Sequence, residues 1–92
     1  TDEQLEEMNA KENIPVKYKE KEYTKYEASQ HQRRLETLMR KQREDIYLMK
    51  RAEASEDDII TLKTKYRGTM TQYRNFSKAM KLPMQEERIF MN

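Results

Sequence analysis

Met49-Lys50-Arg51-Ala52-Glu53-Ala54-Ser55-Glu56-Asp57-Asp58-Ile59 (MKRAEASEDDI) decides how this chain folds. Apolar residues at helical spacing run up to it and resume after it. Ser55 is a helix N-cap residue type, and the three acids behind it suit the positive end of a helix dipole. One helix therefore ends near Ala52 and a second begins at Ser55. Residues 24–52 span about 44 Å as a helix, and residues 55–82 almost as much. Two rods of equal length on a short link predict an antiparallel helical hairpin.

Each rod carries its own signals. Thr24-Lys25-Tyr26-Glu27 reads as a capping box, with Tyr23 and Ala28 placed as a hydrophobic staple. Along the first helix, Ala28, Leu35, Leu38, Met39, Ile46, Met49 and Ala52 fall on one side. Steps of eleven residues (28→39, 35→46, 38→49) favour a nearly straight amphipathic helix over a parallel coiled coil. A strict heptad would put Gln42 and Asp45 on the seam. In the second helix Ile59, Leu62, Tyr66, Met70, Tyr73, Phe76 and Met80 form one face. Gly68 interrupts it at a cost of ~1 kcal/mol and is expected to serve a close approach or a bend. Pro83 ends the helix near Leu82.

Upstream, Thr1–Ala10 reads as a short helix with Leu5 and Met8 three apart, broken at Asn13-Ile14-Pro15. Val16 and Tyr18 alternate with lysines, and Glu22-Tyr23 follows, which predicts a small β-hairpin turning near Glu20-Lys21. No Gly or Asn supports that turn. The fold class is mainly α: an antiparallel two-helix hairpin preceded by a short N-terminal helix and a small β-hairpin. The chain divides into an acidic segment (1–13), the β-hairpin with the helical hairpin (14–82) and a tail (83–92) holding Ile89, Phe90 and Met91.

Composition agrees with long elements. The 92 residues are 39% charged and 35% apolar, with one Gly and two Pro. Low hydropathy alone would favour disorder, but six Tyr, seven Met and clear periodicity favour order. The absence of Cys excludes a disulfide framework and a thiolate zinc site. No run approaches the roughly 20 apolar residues of a membrane span, and no leader pattern is seen. The net charge of +2 is uneven: residues 1–13 hold five acids and one base, while residues 59–81 hold six bases and no acid.

Catalytic constellations are not expected. His31, the lone histidine, has no Ser or Cys partner at a supporting spacing and reads as a polar helix residue. The acid pairs Glu6/Glu7, Asp57/Asp58 and Glu86/Glu87 are adjacent, so on a helix they diverge and make poor metal clamps. No glycine-rich phosphate loop is present, and no cofactor or metal is expected. Two surfaces invite partners. Two helices bury one seam while each apolar face is broader, so Leu35, Met39, Ile46, Met49, Tyr66, Met70, Tyr73, Phe76 and Met80, with Ile89 and Phe90 of the tail, are the expected protein-docking positions. Basic residues line both helices, and Arg67, Arg74 and Lys78 are the candidates for nonspecific DNA contact. A solvated polar face, with Glu36–Arg40 as an i,i+4 pair, is the simpler account of those charges.

Two long strings, KEYTKYEASQHQRRLETLMRKQR (21–43) and KYRGTMTQYRNFSKAMKLPMQEER (65–88), resemble the second minor capsid protein family of tailed phages that infect Gram-positive bacteria. Members of that family are several times longer, so the resemblance implies a portion of a longer product, its C-terminal helical part. It implies a low-copy structural protein of the phage head near the portal, found in the virion and, during assembly, in the bacterial cytoplasm. Portal, major capsid protein or sister copies are the implied partners, with packaged DNA as the alternative. One departure is Lys81, where the family pattern carries Gly. A lysine disfavours the left-handed turn that closes such helices, leaving Pro83 as the expected terminator.

Overall fold

The computed structural model describes residues 14–84, which run strand, strand, helix, helix. The expected N-terminal helix and the tail residues Ile89, Phe90 and Met91 lie outside the described residues.

Strand β1 (Val16–Tyr18) pairs antiparallel with β2 (Lys21–Tyr23), Val16 opposite Tyr23 and Tyr18 opposite Lys21. The loop is therefore Lys19-Glu20, one residue earlier than the sequence suggests. Lys19 itself adopts φ 58°, the left-handed value a two-residue hairpin needs and that Gly or Asn usually supplies. Alternation puts Tyr18 and Tyr23 on the same face of the ribbon. Both rings meet Phe76 edge-on, at centroid distances of 5.4 and 5.0 Å. A two-stranded ribbon is marginal in water, and this packing on the helices is what holds it.

Helix α1 (Lys25–Arg51) starts at the predicted capping box: the Glu27 amide donates to Thr24 Oγ1, and the Thr24 amide donates to Glu27 Oε1. Helix α2 (Glu56–Ala79) starts at Ser55, whose hydroxyl oxygen accepts from the Asp58 amide. Both helices close in the same way. After the cap Ala52, Glu53 turns to φ 55°, and the amides of Glu53 and Ala54 reach the carbonyls of Lys50 and Met49. After the cap Met80, Lys81 turns to φ 56°, and the amides of Lys81 and Leu82 reach Lys78 and Ser77. These are Schellman turns built without glycine. The expectation that Lys81 would forgo the turn is corrected: α2 stops at Ala79, before Leu82, because the backbone reverses at Lys81 rather than at Pro83.

The helices lie antiparallel, and two buried hydrogen bonds fix their register. Gln32 Nε2 donates to Ser77 Oγ at 2.9 Å, and Tyr73 Oη donates to Glu36 Oε1 at 2.9 Å. The numbers of each pair sum to 109, so the midpoint falls between Ala54 and Ser55, at the centre of the elbow. Positions 28, 32, 35, 39, 42, 46 and 49 of α1 are buried or half-buried, with Glu36 buried beside them, and so are 59, 62, 66, 69, 73 and 76 of α2 and its cap, 80. Both series alternate steps of three and four, the repeat of a coiled-coil seam. The α1 face read at eleven-residue steps holds for Ala28, Leu35, Met39, Ile46 and Met49 and is corrected at its other two positions. Leu38 and Ala52 face solvent, while Gln32 and Gln42 lie inward. Gly68 is exposed, and a Cβ built on it meets no atom within 4 Å, so it serves no close approach.

The core is short. Ala28, Leu35, Met39, Tyr73 and Phe76 are buried, and Tyr18, Tyr23, Tyr66, Met70, Met80 and Leu82 pack against them. Most of it lies at the end of the hairpin that the β-ribbon covers. There three layers meet, and side chains vanish from solvent. Polar residues survive at this end of the seam because each finds a partner. Gln32 donates to Ser77 and also to the carbonyl of Pro83 at 2.9 Å. Thr69 returns its hydroxyl to the Lys65 carbonyl. Glu36 turns inward to Tyr73, away from the solvent face on which a pair with Arg40 was expected.

Candidate partner-binding surface

Towards the elbow the described residues form only two layers, and the seam opens. Ile46, Met49, Ile59, Leu62, Tyr66 and Met70 are half-buried at best, while Tyr47, Leu48 and Ile60 are more than half exposed. The contrast with the ribbon-covered end follows from geometry: two cylinders hide one stripe each, and these helices carry wider stripes.

Two shallow grooves flank this half. One, of about 440 Å3, has Ile46, Tyr47, Tyr66 and Met70 as its apolar lining and Arg43, Lys50, Lys63 and Arg67 around them, with no acid lining it among the described residues. The other, of about 430 Å3, is lined by Leu48, Met49, Ala52 and Leu62 with Asp45. The first is the more distinctive surface. Burial pushes the Tyr66 phenol above its ordinary range, against the opposing pull of Arg43 and Arg74. Arg51 lies over the outer ring, that of Tyr47, at 5.8 Å.

At the opposite end, His31 sits among aromatic rings, 4.5 Å from Phe76 and 5.6 Å from Tyr23. Burial first, then the charges of Arg34 and Lys21, lower its pKa below the usual histidine value. It is a neutral ring in an aromatic cluster rather than a polar residue on a free face. Among the described residues, no group of three His, Cys, Asp or Glu side chains could hold a metal ion, and no helix is long and apolar enough to cross a membrane.

The expected docking residues divide sharply. Leu35, Met39, Tyr73 and Phe76 are interior and are corrected from contact positions to core, since the β-ribbon and the partner helix already cover them. Met80 is half-buried against that same core. Ile46, Met49, Tyr66 and Met70 belong to the open elbow half. Ile89 and Phe90 lie outside the described residues. Of the expected DNA contacts, Arg67, Arg74 and Lys78 are all exposed, and their spacing puts them on one stripe of α2. Only Arg67 lines the basic groove. The other three groove cations were visible in the sequence only as members of a general basic population, because their grouping depends on how the helices pair. No protein-family model, curated protein or solved structure matches the chain.

Proposed function

We propose that this chain is a structural docking module of a tailed-phage head, part of a minor capsid protein that binds portal, major capsid protein or sister copies. The docking role rests on one observation: the elbow half of the seam leaves Ile46, Met49, Tyr66 and Met70 half-covered, with Tyr47, Leu48 and Ile60 exposed beside them. Apolar surface of that kind at the end of a two-helix rod suits a contact within a larger assembly. The phage-head setting is supported by the resemblance of residues 21–43 and 65–88 to second minor capsid proteins. Crosslinking mass spectrometry on intact virions tests both parts. Links from Lys50, Lys63 or Lys65 to portal, capsid or sister copies are expected. A stable monomer that never co-assembles with portal or capsid protein would sink the proposal.

A second reading is contact with packaged DNA, favoured by the exposed stripe of Arg67, Arg74 and Lys78. It predicts affinity that falls steeply with salt. Equal mobility shifts for the wild type and a charge-neutral Arg67/Arg74/Lys78 variant would remove it.

A further inference from the structure

The basic groove near the elbow has a chemical complement within the chain's own sequence. Arg43 and Lys50 reach it from α1, Lys63 and Arg67 from α2, and among the described residues no carboxylate lines it. Residues 1–13 carry five acids against one base, with Leu5 and Met8 three apart. The groove offers four cations around an apolar floor; the segment offers an excess of four negative charges around two apolar side chains. We infer that the groove receives the acidic 1–13 segment of a second copy of this chain. Leu5 and Met8 cover the half-buried floor, and Glu3, Glu6 and Glu7 meet the surrounding cations.

Reach argues for a second copy over the same one. The ribbon holds Val16 opposite Tyr23, beside the start of α1. Residues 43–50 lie about 30–40 Å further along that helix at the usual rise. The eleven residues from Leu5 to Val16 span at most about 40 Å when pulled fully straight, and about 16 Å as a helix. A segment from its own chain would reach the Arg43 end only when largely extended and the Lys50 end only when nearly straight. A neighbouring copy has no such tether.

The inference rests on the docking role proposed above only in treating the elbow half as a contact surface, and it does not depend on the phage setting. It is tested on the purified full chain. Sedimentation at about 50 mM salt is expected to show self-association that is lost at about 500 mM. Reversing one exposed cation on each helix, with Lys50→Glu and Arg67→Glu together, is expected to raise the dissociation constant about 100-fold, with helix content by circular dichroism unchanged. Adding Glu6→Lys and Glu7→Lys to that variant is expected to restore association to within about tenfold of wild type. A mixture of isotope-labelled and unlabelled chains treated with a carbodiimide should join Glu6 or Glu7 of one form to Lys50 or Lys63 of the other. A synthetic peptide of residues 1–13 should compete. A chain that stays monomeric, association indifferent to the reversal, a charge swap that fails to restore it, a peptide that fails to compete, or crosslinks confined to single copies would each overturn the inference. Links to portal or capsid in virions would be untouched by those results, so the two proposals fail separately.

Discussion

Two glutamines on the same seam behave differently. Gln32 spends both amide hydrogens, on Ser77 and on the Pro83 carbonyl. Gln42 lies further along, and its Oε1 is buried with no partner. A buried acceptor left unmade costs about 1–3 kcal/mol. Gln42→Leu is therefore expected to stabilise the fold by about 1–2 kcal/mol, read as a higher urea midpoint at unchanged slope. His31 gives a pH signature. Its pKa is lowered in the fold, so the unfolded chain binds the proton more readily. The stability this neutral ring contributes is complete above its ordinary pKa of about 6.5 and drains away as pH falls through that value towards the lowered one. Urea titrations from about pH 7 down to about pH 5 should show that loss, and His31→Phe should remove the histidine's share of it. Neither residue's role was legible in the sequence. Gln42 was named only as what a heptad would bury, and His31 meets its rings from residues 23 and 76, one of them 45 positions away.

At the scale of elements, turn chemistry is inverted. Among the described residues three hold left-handed φ values, Lys19, Glu53 and Lys81, and none is glycine. The single glycine stands exposed in α2, where nothing requires it. An L-residue in that left-handed region costs about 1–2 kcal/mol, which glycine escapes at the expense of some entropy. Glu53→Gly and Lys81→Gly are each expected to stabilise by about 1 kcal/mol in thermal or urea unfolding. Gly68→Ala should add about 0.5–1 kcal/mol, since the new methyl meets no atom within 4 Å. The element starts were legible because Thr24/Glu27 and Ser55 act through bonds three residues long. The element ends were less so. A Schellman turn on Lys81 breaks the composition rule that makes glycine its marker. The seam was least legible, because which stripe of α1 turns inward is settled by α2: Ser77 and Tyr73 draw in Gln32 and Glu36, while Leu38 is left outside.

At the scale of the whole molecule, the described residues form a rod closed at one end and open at the other. Where the β-ribbon adds a third layer, Met39, Tyr73 and Ser77 are buried to 0% exposure. Where it does not, Leu48 and Ile60 remain 52% and 57% exposed. Native-state hydrogen exchange should follow this division. Amides of residues 28–39 and 69–77 should be the slowest, and those of residues 46–51 and 56–62 should open at lower free energy. Uniform protection along both helices would contradict the two-ended description. The hairpin class itself was legible from the elbow, because equal arms on a short link have few other ways to bury a stripe. The groove was not, since it is assembled from residues about twenty apart. The elbow carries a further consequence. Ala52, Glu53, Ala54 and Ser55 are all committed, as cap, reversed residue, amide donor and cap, and leave no slack. A residue inserted in one arm would swing everything beyond it by about 100° off the interface. Growth is tolerated only in opposed blocks of seven, one per arm, each such pair lengthening the rod by about 10 Å.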